Sequence, residues 1–70
     1  MDRSPVDSSC LRSVGYDRAS ATLEVEFQSG GIYRYFDLPA DEHAGLMRAP
    51  SKGQYFVARI RDLYRTKRMR

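Results

Sequence analysis

The sequence predicts an α+β domain: a three-stranded antiparallel β-meander followed by two α-helices packed on one of its faces. Three observations carry this. Apolar and polar residues alternate strictly through Thr22-Leu23-Glu24-Val25-Glu26-Phe27, the mark of a half-buried strand with its other face toward water. The chain changes mode at Leu38-Pro39, and beyond it Phe56, Ile60 and Leu63 recur at helical spacing. An antiparallel sheet with one apolar face needs cover, and two amphipathic helices are the only cover this chain offers.

Each element has its own local reason. Residues 1–8 are polar, contain Pro5, and read as a flexible lead-in to a single domain over 9–66, with 67–70 a basic end. Leu11 to Tyr16 is the first strand, with Gly15 marking a bulge. Asp17-Arg18-Ala19-Ser20 is turn-like. Thr22–Phe27 is the second strand, Ser29-Gly30-Gly31 reverses the chain, and Ile32-Tyr33-Arg34-Tyr35-Phe36 suits a pleated surface. A three-residue loop over Ser29, Gly30 and Gly31 pairs Phe27 with Tyr33 and Val25 with Tyr35. A two-residue loop over Gly30-Gly31 puts the tyrosines beside the glutamates instead. The first is preferred because it groups the apolar residues, with Gly31 at the left-handed position.

Pro39 suits a first helical position, and Asp41 and Glu42 fall in the first turn, where negative charge is favoured. That helix is expected to run to about Arg48, burying Leu46, and Pro50 ends it. Ser51-Lys52-Gly53-Gln54 has the form of a capping box, so a second helix starts there. Continued at 3.6 residues per turn, it aligns Arg61, Arg65 and Arg68 in one row beside Tyr64, and groups Leu63 with Phe56 and Ile60 in the core.

Composition bounds the function. Seventy residues make one domain, and 12 Lys+Arg against 9 Asp+Glu give a net charge of +3. With 30% charged and 41% hydrophobic residues this is an ordinary globular mix. A chain of this size buries only about 60% of its unfolded surface, so self-association is one way to complete its fold. There is no run of about 18 apolar residues for a membrane span, and Met1–Cys10 lacks the apolar core of a secretory signal. A lone cysteine, Cys10, forms no internal disulfide, which points to the cytoplasm. One Cys and one His cannot complete a tetrahedral zinc site in a monomer, so no metal and no cofactor is expected.

The ordered set Val14-Gly15-Tyr16-Asp17, Leu23-x-Val25-x-Phe27, Tyr33-Arg34-Tyr35, Leu38-Pro39, Ser51-Lys52-Gly53-x-Tyr55-Phe56 and Ile60-Arg61-Asp62-x-Tyr64 resembles the KTSC domain. The resemblance covers roughly residues 6–66. It implies a small bacterial domain of unestablished function that also occurs as a C-terminal extension of some lysyl-tRNA synthetases, a context that implies RNA. It brings no catalytic residues. His43 stands where the family commonly has Tyr, and Val57 where it commonly has Asn, and the second departure leans against an enzyme.

Residues 59–70 hold Arg59, Arg61, Arg65, Lys67, Arg68 and Arg70 against Asp62 alone. Clustering of this kind is the electrostatic footprint of phosphate contacts, and equally of a solvated helix end favoured by the dipole. Lys52 and Arg34 are possible additions. The aromatic motif Tyr33 and Tyr35 reads as core in the preferred register, and as a base-stacking platform if exposed. His43 beside Asp41 and Glu42 is no acid–base pair, since neighbours at that spacing do not face one another on a helix. Cys10 lacks a nearby base and reads as inert. Ser51-Lys52-Gly53 lacks the glycine pattern of a phosphate loop and reads as a plain cap. The expectation is a non-enzymatic, low-specificity RNA-binding accessory domain. A protein-interaction or self-association module is the alternative.

Overall fold

A computed structural model describes residues 1–70. Its order is β1 (Ser4–Pro5), β2 (Leu11–Asp17), β3 (Thr22–Phe27), β4 (Ile32–Tyr35), α1 (Ala40–Arg48), α2 (Lys52–Arg59) and β5 (Thr66–Arg68). The strands form one antiparallel sheet in chain order. The expected meander is its centre, β2 to β4, and the sheet has five strands rather than three.

Both extra strands come from segments that sequence placed outside the sheet. In the lead-in, Ser4 lies opposite Val14 and Pro5 opposite Ser13. Proline is tolerated there because the outer side of an edge strand needs no N–H partner. At the other end, α2 stops at Arg59. The Ile60 and Arg61 N–H groups both donate to the Phe56 carbonyl at 2.9 Å, and the chain then runs back along β4. Tyr33 pairs with Arg68, Arg34 with Lys67 and Tyr35 with Thr66. A helix continued to Arg68 would have stacked three arginines on one side and left the β4 edge unpaired; the strand avoids both. The helical arginine row therefore does not exist. Leu63, expected in the core, is 69% exposed.

The hairpin keeps the expected face and shifts its register. Leu23 pairs with Tyr35 and Val25 with Tyr33, two residues from the expected pairing. The side-chain period is two, so a slip of two preserves the face. The loop is Gln28-Ser29-Gly30, closed by the Phe27 N–H to the Gly31 carbonyl at 2.9 Å. Gly30, at φ +102, is the left-handed residue rather than Gly31. The β2 bulge lies between Leu11 and Ser13, not at Gly15. Gly15 instead admits the N-terminal segment: an added Cβ would meet the Asp2 carbonyl and sit 3.1 Å from Arg3 Cγ.

The second helix starts as expected, and the first starts one residue later, with Pro39 as its extended cap rather than its first helical residue. Pro39 precedes α1, with Asp41 and Glu42 in its first turn and Leu46 buried. Ser51 caps α2 by accepting from the Gln54 N–H. On the helix side of the sheet Leu11, Val14, Leu23, Val25 and Tyr35 pack with Leu38, Leu46, Phe56 and Ile60. Phe56 meets Phe27 and Tyr35 edge to face, with centroids at 5.4 and 5.3 Å. No helix is long and apolar enough to cross a membrane.

The opposite face is not simply wet. Glu24 is 5% exposed there, held between Arg3 and Arg34, whose Nε donates to Oε1 at 2.8 Å. Burial pushes the Glu24 carboxyl up, but the hydrogen bonds from Arg34 and Arg3 outweigh it and leave the group below its ordinary value.

Candidate nucleic-acid interface

Because α2 ends at Arg59 while the sheet continues to β5, a groove of about 450 Å³ opens between them. Its apolar wall is Phe27, Tyr33, Tyr35, Phe56 and Val57; Arg61, Asp62 and Thr66 supply polar groups, and Cys10 and Ser29 form the lip. Tyr33 is half-buried and packs edge to face on Phe27 at 5.5 Å. The Arg68 guanidinium lies 5.6 Å from the centroid of the Tyr33 ring, a cation–π arrangement. Tyr35 is 4% exposed. Its hydroxyl is pushed above its ordinary range by burial, against the pull of Thr66 and Arg61. Of the two motif tyrosines, Tyr35 is core, and Tyr33 shows part of its ring to the groove.

Strand geometry divides the basic residues between faces. Arg68 pairs with Tyr33 and shares its side of the sheet, while Lys67 pairs with Arg34 on the opposite side. Arg34 is engaged by Glu24. Arg65 lies 5.1 Å from the Phe36 ring centroid and 3.8 Å from the Asp37 carboxylate. Arg61 lines the groove, with Nε 3.5 Å from Asp62 Oδ2. The Arg70 carbonyl accepts from the Ile32 N–H at 2.8 Å, which fixes the C-terminus beside β4. Lys52 donates to the Ala49 carbonyl at 3.3 Å, closing the turn between the helices. The structure thus places Arg61 in the aromatic groove and Arg68 over the ring of Tyr33 at its margin, and sets Arg34 and Lys67 on the opposite side of the sheet.

Sequence reasoning missed Phe27, Val57, Asp62 and Thr66 as groove residues. Thr66 carried a usable signal, a β-branched residue inside a basic stretch expected to be helical. Glu42 was legible only as a first-turn acid. It accepts from the Tyr55 hydroxyl at 2.7 Å and the Tyr64 hydroxyl at 3.5 Å, with Arg59 Nε at 3.6 Å. Gly45 makes room for this, since a side chain there would meet the Tyr55 ring. Hydrogen bonding to Glu42 raises the Tyr55 hydroxyl, and burial raises that of Tyr64. His43 stacks on Tyr16 at 4.6 Å, and burial lowers its ring below the usual histidine value. No three His, Cys, Asp or Glu side chains come together as a metal site.

Comparison with known proteins bears on this geometry. The KTSC domain family matches residues 7–64. An uncharacterised protein of Stutzerimonas stutzeri is 46% identical over 56 residues, covering 80% of this chain and 79% of that protein. A lysine–tRNA ligase of Nostoc punctiforme is 36% identical over 59 residues, covering 84% of this chain but 10% of the ligase. The crystal structure of a KTSC domain protein from Yersinia pestis superposes with a TM-score of 0.96 at 35% identity, over 99% of this chain and 97% of that one.

Proposed function

The chain belongs to the KTSC domain family, and from that premise we propose that it is a non-enzymatic accessory domain that holds single-stranded RNA in the groove between α2 and β5. The supporting observation is a half-buried Tyr33 ring that lines the groove together with Arg61, with the Arg68 guanidinium over the ring. A base stacked on an aromatic ring gains about 1–3 kcal/mol, and the arginines meet flanking phosphates. Arg70 extends the basic rim at the same end, while Arg65, Lys67, Arg34 and Lys52 add charge at longer range. The kinship with lysine–tRNA ligases, enzymes named for an RNA substrate, agrees with this reading. The single cysteine suits a reducing cytoplasm.

Titration of labelled single-stranded RNA at several salt concentrations tests the proposal. Each phosphate neutralised contributes about 0.7 to the log–log salt slope. Replacing Arg61, Arg68 and Arg70 together by Ala should lower the slope by about 2. These side chains are exposed, so the fold should persist. No binding at low salt, or an unchanged slope, would sink the reading. A second reading, a protein-interaction or self-association module, rests on the open outer edge of β5, where Thr66, Lys67 and Arg68 are all exposed. Concentration-dependent sedimentation of the chain alone distinguishes the self-associating form.

A further inference from the structure

Asp62 is the only acid in residues 59–70, and it lines the groove. On a surface that attracts phosphates, a carboxylate is unfavourable unless it faces something other than backbone. Its partner Arg61 holds it loosely. The 3.5 Å ion pair has side chains 54% and 79% exposed, so it opens at little cost. Both groups are therefore free to turn toward a ligand lying on Tyr33.

An ionised carboxylate offers two acceptors and no donor. Among the four RNA bases only guanine presents two adjacent donors on one edge, its ring N1–H and its exocyclic amino group. Cytosine and adenine set one amino group beside an acceptor nitrogen, which repels the second carboxylate oxygen. Uracil places its single N–H between two carbonyls. Guanine also carries O6 next to N1–H, and a guanidinium with five N–H donors can donate to it while still meeting a flanking phosphate. The Arg61–Asp62 pair thus matches the donor and acceptor order of one base.

We infer that Asp62, aided by Arg61, reads the Watson–Crick edge of a guanine stacked on Tyr33, so that the domain prefers single-stranded RNA containing guanine. This rests on the RNA-binding reading above and narrows it from any base to one. Asp62 is a specificity-determining residue, and Tyr33 supplies the stacking surface common to all bases.

The test compares uridine oligomers carrying one central guanosine, adenosine or cytidine, by fluorescence anisotropy at low salt. The guanosine oligomer should bind about fivefold more tightly, the low end for a two-point base contact at an exposed site. Asp62→Asn should weaken guanosine binding while strengthening the other oligomers slightly, because a repulsive charge is gone. Asp62→Glu, which keeps the carboxylate, should retain the preference. An unchanged melting temperature for both variants would show that the fold is intact. If all oligomers bind alike, or if Asp62→Asn strengthens every one equally, the guanine inference fails and RNA binding survives. If none binds, both fail.

Discussion

The two faces of the central sheet are buried by opposite means. On the helix side Leu23, Val25 and Tyr35 lie against Leu46, Phe56 and Ile60, and the contacts are apolar. On the other side Glu24 is almost equally enclosed, but by the side chains of Arg3 and Arg34. One strand thus supplies a core by exclusion of water and, one residue along, a charge buried with two partners. The apolar face should tolerate salt and respond to pH only weakly, whereas the charged face depends on protonation and on an N-terminal segment staying in place. The difference shows how a 70-residue chain extends its buried surface beyond what its few aliphatic residues provide.

Phe56→Ala should have the largest effect. Phe56 touches both Phe27 and Tyr35, and its truncation should cost about 3–5 kcal/mol in urea unfolding. A loss under about 1 kcal/mol would show that α2 does not secure the apolar face. Next comes the charged face. Glu24→Gln keeps the shape but removes the charge, and should cost about 1–3 kcal/mol, the penalty for leaving buried charged groups poorly paired. The same variant sharpens the contrast through pH. The Glu24 carboxyl is lowered in the folded state, so its contribution is present above the ordinary value of 4.5 and is lost as pH falls through the folded value. Acid unfolding of the parent should show this loss, and Glu24→Gln should not.

His43 offers a smaller test on the helix side. Burial lowers its ring, so the unfolded chain takes up the proton first, and stability should begin to fall as pH drops below the ordinary value of 6.5. Replacing His43 by Phe should remove that shallow slope, and a slope that persists would assign it elsewhere. The smallest effect belongs to Leu63. It is 69% exposed, so Leu63→Ser should change stability by less than about 0.5 kcal/mol. A loss of core size would restore it to a helical stripe with Phe56 and Ile60.

Determined by sequence alone were the features set by neighbours along the chain. Alternation placed Leu23, Val25 and Phe27 on one face. Pro39 with its acids and Ser51 with Gln54 marked both helix starts. A set of short motifs was enough to indicate the family. The faces of Tyr33 and Tyr35 were also legible, because they depend on parity and survive a slip of two residues. Tertiary structure decided whatever required a partner far along the chain. Thr66–Arg68 became a strand only because the β4 edge was open, and that choice dissolved the arginine row and opened the groove. Glu24 was buried only because Arg3 and Arg34 reach it from β1's flank and from β4, and Glu42 gained Tyr55 and Tyr64 only when α2 folded onto α1. Helix propensity and periodicity are summed over adjacent residues, whereas an unpaired strand edge or a buried charge acts across the fold, and in the last ten residues the edge prevailed.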